Sequence, residues 1–139
     1  MATVISVHSF RGGTGKSNTT ANLAAVYARQ GRRIAVIDTD IQSPAIHALF
    51  GLRGEDVEAS LNDFLWHDRP IEQVAQDVSA AAGPGVSGRI HLIASSMKPG
   101  EIARVLREGS EGIFVARFPD HTLSDLYRQV PSTLVGDAV

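Results

Sequence analysis

The sequence contains no cysteine, which excludes disulfides, thiolate metal centres and cysteine nucleophiles for these 139 residues. It has no surplus of basic charge either. Thirteen Lys and Arg against 15 Asp and Glu leave a formal net charge of −2, so the basic footprint of a nucleic-acid-binding surface is missing. No stretch approaches the ~18 consecutive apolar residues that a membrane-crossing helix requires. The opening Met1-Ala2-Thr3-Val4-Ile5-Ser6-Val7 lacks a basic leader and a small-residue cleavage site, which predicts a cytoplasmic protein. Internal repeats and low-complexity tracts are absent. The histidines His8, His47, His67, His91 and His121 have no metal-ligand spacing and read as structural or surface residues.

What is present suits one soluble globular domain, with 43% hydrophobic and 20% charged residues. Residues 3–9 (T-V-I-S-V-H-S) form a short β-branched run that predicts a strand. A glycine-rich turn follows. Residues 16–30 predict a helix with Leu23, Val26 and Tyr27 on one face, alanines filling it, and Gly31 ending it. Ile34-Ala35-Val36-Ile37 is an apolar run of the kind found in buried parallel strands. Together these predict a strand, loop, helix, strand unit. Further on, residues 45–50 predict a short helix, 60–66 a helix capped by Ser60, 70–80 a helix, 89–94 a third strand and 99–107 a helix. Ile113-Phe114-Val115 suggests a strand fragment before Pro119 and Pro131 break the pattern.

The chemistry concentrates in Arg11-Gly12-Gly13-Thr14-Gly15-Lys16-Ser17. A polyphosphate must be held without side-chain bulk, and glycines let successive backbone N–H groups curl inward as an anion nest. A helix starting near Gly15 adds its positive end to that spot. Lys16 supplies a full positive charge for the phosphates, and the Ser17 hydroxyl suits Mg²⁺. The common pattern G-x-x-x-x-G-K-[ST] is not met, because Phe10 stands at its first glycine. Asp38 and Asp40, two apart at the end of an expected parallel strand, point to the crevice where such sheets bind ligands.

The run F-R-G-G-T-G-K-S-N-T-T-A-N-L-A-A from Phe10 resembles the deviant Walker A motif, K-G-G-x-G-K-[ST], of the MinD/ParA family of P-loop ATPases. Val36-Ile37-Asp38-Thr39-Asp40-Ile41-Gln42-Ser43 resembles the family's D-x-D switch segment. The resemblance implies an α/β, three-layer P-loop NTPase fold with a mainly parallel sheet, incomplete at the C-terminal end. It covers residues 1–107 and leaves 108–139 as a divergent or truncated tail. It implies ATP and Mg²⁺ as cofactors. By the same resemblance Gly12, Gly13, Thr14 and Gly15 supply backbone donors, Lys16 binds phosphates and Ser17 the metal. Asn18 and Thr19 sit near the α-phosphate, Asp38 lies in the outer shell of Mg²⁺, and Asp40 orients the attacking water. The complete protein is expected to form an ATP-dependent homodimer and to meet a regulatory protein partner, with no nucleic-acid or membrane signal in this chain.

Two departures from the pattern stand out. Arg11 occupies the position of the family's signature lysine, which reaches the partner subunit's phosphates; here it is either that contact or a solvated loop cation. The family's second acidic motif, an apolar run ending in Asp with Pro two places on, has no counterpart: Ile113-Phe114-Val115-Ala116 is followed by Arg117. The alternative reading is therefore a module that binds nucleotide without efficient hydrolysis. Trp66, with Phe64 and Leu65, reads as core because no basic cluster surrounds it, Ser95-Ser96 has no neighbouring base to make a nucleophile, and residues 123–130 are too short and too weakly basic for membrane binding.

Overall fold

Helix α1 (Lys16–Arg29) rises directly from the glycine loop in the computed structural model, which describes residues 3–108. The expected strand fragment at 113–115 and the segment 123–130 lie outside those residues. The inner stripe of α1 is alanine: Ala24 and Ala28 are buried, and Ala21 and Ala25 pack beside them. The larger residues expected on that face turn away, with Val26 48% exposed and Leu23 and Tyr27 half-buried. Methyl-sized side chains let the helix lie close on the sheet at interior packing density, which a Leu–Val–Tyr face would prevent. The helix ends as expected. Gly31 adopts φ 82°, the Gly31 amide donates to Ala28 O at 3.0 Å and the Arg32 amide to Tyr27 O at 3.1 Å. This is the paired closure that a left-handed glycine permits.

After α1 come β1 (Arg33–Ile37), α2 (Ile46–Leu49), α3 (Leu61–His67), α4 (Ile71–Val74), β2 (Gln76–Asp77), β3 (Arg89–Ile93) and α5 (Pro99–Glu108), with 3₁₀ turns at Gly54–Asp56 and Ser79–Ala82. The fold is α/β, and its sheet is mixed, in the order β1-β3-β2. β1 and β3 are parallel from Arg33↔Arg89 to Ile37↔Ile93, whereas β2 is antiparallel to β3. Side chains alternate between two cores, as the two-residue period of a strand demands. Ile34, Val36, Ile90 and Leu92 pack with α1 and α2, while Ala35, Ile37 and Ile93 pack with Ile41, Leu61, Leu65, Ile71 and Val74. Ser60 precedes α3 as expected, and its amide and hydroxyl both donate to Asp63 Oδ2, at 2.8 and 2.9 Å. Trp66 packs on the second core, with the Arg104 guanidinium 4.8 Å from its ring centre.

Two expected elements are corrected. Residues 3–9 form no strand, and Val4 and Ile5 stay 53% and 50% exposed. β-branched residues favour a pleated ladder only when a neighbour supplies one. Both edges of β3 are already taken, and the leading segment does not pair with the outer edge of β1, which has no strand partner among the described residues. The helix expected over 70–80 is cut to α4. Gln76 and Asp77 join β3 instead, and the Val78 amide donates to Ile90 O at 2.9 Å. Asp77 Oδ1 then accepts from the Ser79 amide at 2.8 Å, the side-chain competition that makes Asp a helix breaker.

Candidate functional site

The loop between residue 9 and α1 is tied together by its own polar groups. Ser9 Oγ donates to Arg11 O at 2.8 Å and lies 2.6 Å from Thr14 Oγ1. The Lys16 ammonium reaches back across the loop and donates to Ser9 Oγ at 3.1 Å and Arg11 O at 3.3 Å. Both acceptors are neutral, and among the described residues Lys16 has no carboxylate partner. Gly15, at φ 84°, turns the chain into α1. A Cβ placed on Gly12, Gly13 or Gly15 would meet nothing within 4 Å, so the loop surface is open space. Ser17, Asn18 and Thr19 are exposed on the first turn of α1, and Arg11 is exposed on the loop.

The two aspartates sit at the end of β1 with different surroundings. Asp38 is 7% exposed, and its Oδ1 accepts from the Asp40 amide at 3.0 Å. Its Oδ2 is buried and has no hydrogen-bond partner among the described residues. Asp40 is exposed, and its Oδ1 accepts from the Ser43 amide at 3.1 Å. Ile41, 1% exposed, plugs into the second core immediately after it and fixes the direction of the segment. The loop residues and the aspartate pair are thus carried by separate elements. Ser17 and Asp38, the expected metal pair, make no hydrogen bond to each other among the described residues.

Burial pushes the Asp38 carboxyl up to about 6, opposed by the Asp40, Ile46 and Ala45 amides and reinforced by the Asp40 charge. The folded chain therefore holds a proton that the unfolded chain releases near pH 3.8, and its stability should fall as pH rises from about 4 to 6. At about 1.4 kcal/mol per pH unit the loss is ~3 kcal/mol at most. Asp63 and Asp77, held below their ordinary value against the effect of burial, lose stability in acid below that window, so the two effects separate. The stability difference between wild type and Asp38→Asn, followed by urea unfolding from pH 4 to 7, should change by this amount. A flat difference would show that Asp38 is not buried as described.

These features fit a metal-bound polyphosphate. A buried carboxylate oxygen without a donor suits a cation or its water shell, and an ammonium with only neutral acceptors, over open glycine backbone, suits clustered phosphate oxygens. Residues 5–136 match the CobQ/CobB/MinD/ParA nucleotide binding domain. The chain belongs to this family. Among curated proteins, an iron-sulfur cluster carrier protein of Pseudomonas fragi is 35% identical over 99 residues, covering 63% of this chain and 34% of the relative. An uncharacterised ATP-binding protein of Methanocaldococcus jannaschii is 43% identical over 65 residues, 47% of this chain and 24% of that protein. An iron-sulfur cluster carrier protein of Pyrococcus horikoshii is 25% identical across 97% of this chain and 49% of its own length. The chain thus spans half or less of each of these relatives' length. No solved structure matches the chain significantly.

For this member of the CobQ/CobB/MinD/ParA family the sequence pattern omits three residues that build the site. Ser9 receives Lys16 and pairs with Thr14. Ser95 and Asn62, both fully buried, lie around the exit of β3. A serine just before a glycine loop was a legible signal for Ser9. Ser95 and Asn62 gave none, because their partners are distant in sequence.

Proposed function

We propose that this chain is the Mg-ATP-binding part of a MinD/ParA-type ATPase, a cytoplasmic switch in which the bound nucleotide controls dimerisation and engagement of a regulatory protein. In the complete protein its sheet extends into the three-layer, mainly parallel arrangement of P-loop NTPases. The observation that carries the reading is the Lys16 ammonium, spanning an open glycine loop at the head of α1 with only neutral acceptors. Such a group gains a charge-assisted partner when phosphate arrives. Backbone donors at Gly12, Gly13, Thr14 and Gly15 hold the phosphates together with Lys16, while Asn18 and Thr19 border the α-phosphate. Ser17 ligates Mg²⁺ and Asp38 supports its shell; the ion, when bound, neutralises phosphate charge. Asp40 orients the attacking water and Arg11 meets the phosphates of a second subunit, roles that the exposure of both residues supports.

Light scattering on the purified chain, with ATP, ADP or no nucleotide, tests the switch. A mass that doubles only with ATP, and not in Arg11→Ala, is expected. A mass indifferent to nucleotide contradicts it.

A second reading, binding without efficient turnover, is favoured by one feature: the exit of β3 bears Ser95 and Ser96 rather than a carboxylate. Phosphate release from labelled ATP no faster than in Asp40→Ala would select this reading. A carrier role like that named for two of the relatives would need cluster ligands from elsewhere, because these 139 residues hold no cysteine.

A further inference from the structure

Asp38 has four polar atoms, and three are held by fixed partners. Its amide donates to Ile93 O at 2.9 Å, which extends the β1–β3 ladder by one residue. Its carbonyl accepts from Ser95 Oγ at 2.8 Å. Its Oδ1 accepts from the Asp40 amide; Oδ2 makes no hydrogen bond, although the Ala45 and Ile46 amides lie near enough to the carboxyl to favour its charged form. The Ser95 hydroxyl has no access to water, since the residue is 0% exposed. The chain carrying Ser95 is itself clamped by the start of α3. The Leu61 amide donates to Ala94 O at 2.7 Å, and the Ser96 amide donates to Asn62 Oδ1 at 2.8 Å. Asn62 is fully buried, so this clamp is shielded from competing water.

We infer that Ser95 is a positioning residue: its hydroxyl fixes the backbone of Asp38 so that the free carboxylate oxygen is aimed for the metal side of the bound nucleotide. The inference rests on the nucleotide-binding reading given above. The division of labour follows from the geometry. The loop holds phosphate through Lys16 and backbone, none of which touches Ser95. The Asp38 segment touches Ser95 directly. Removing the hydroxyl should therefore weaken only the share of affinity that Mg²⁺ contributes, as loss of an outer-shell partner commonly does by about 10- to 100-fold.

The test compares the affinity of a non-hydrolysable ATP analogue in Mg²⁺ and in EDTA, for wild type, Ser95→Ala and Ser96→Ala. Ser96 is as buried as Ser95, but its hydroxyl only accepts from the Lys98 amide at 3.1 Å. The expected result is a Mg²⁺-dependent gain reduced about 10- to 100-fold in Ser95→Ala, unchanged affinity in EDTA, and wild-type behaviour in Ser96→Ala. Should Ser95→Ala fail to fold, Ser95→Cys, whose thiol is a poor donor, is read in its place. An undiminished Mg²⁺ gain, or an equal loss with and without Mg²⁺, overturns the inference. If wild type binds the analogue in neither condition, the reading of the whole site fails, and this inference with it.

Discussion

Lys16→Ala should lower nucleotide affinity roughly a hundredfold and leave the fold intact. The affinity loss follows from charge. A hydrogen bond to a charged group contributes about 1.5–3 kcal/mol, and each 1.4 kcal/mol is a factor of ten in binding. The intact fold follows from the unliganded geometry: the two acceptors of Lys16, Ser9 Oγ and Arg11 O, lie on a loop whose remaining members are exposed or half-buried. Freed from the ammonium, both meet water, and Ser9 Oγ keeps Thr14 Oγ1 at 2.6 Å. Calorimetric titration with Mg-ATP, beside a urea unfolding curve, separates the two effects. Unchanged affinity would remove Lys16 from the phosphate site, and a collapse in stability would make its role structural.

Gly88→Ala should be the most damaging change to the fold, by about 3 kcal/mol or more, the scale of severe overpacking. Gly88 lies where the end of α1 meets the start of β3, and its amide donates to Ala28 O at 3.0 Å. A Cβ there would stand 2.2 Å from Arg32 O, 2.5 Å from Ala28 O and 2.9 Å from Ala28 Cα. All three are backbone atoms, so no rotamer change relieves the clash. Either β3 or the end of α1 must move, and with it the Arg89 amide bond to Arg32 O. Gly100→Ala is the control. Its Cβ meets nothing within 4 Å, and it sits in the first turn of α5, where alanine is neutral or favourable by up to about 1 kcal/mol. Thermal unfolding of both variants checks the contrast, and equal midpoints would show that the α1–β3 approach is looser than described.

The parts of the fold legible in the sequence were those decided by neighbours in the chain. The start of α1 at Lys16, its closure at Gly31, the apolar runs of β1 and β3, and Ser60 ahead of α3 are all local signals, and the structure carries them. What failed was decided at a distance. The leading β-branched segment had the composition of a strand but does not pair with the one edge left open beside it, the outer edge of β1. Gln76 and Asp77 left a helical pattern because the edge of β3 was available. The inner face of α1 went to alanines, since clearance to the sheet, not hydrophobicity alone, selects the packed side. In the same way Lys16, Asp38 and Asp40 stood out by motif, whereas Ser95, 57 residues from Asp38, gained meaning only once β1 and β3 lay side by side.

The loop at the head of α1 is the proposed grip on the polyphosphate. Following the backbone amide signals of isotope-labelled chain during titration with Mg-ATP tests it most directly. Gly12, Gly13, Thr14, Gly15, Lys16 and Ser17 should shift first and furthest, ahead of any change in α3 or β2. Saturable shifts confined to other residues, with these six unmoved, would contradict it.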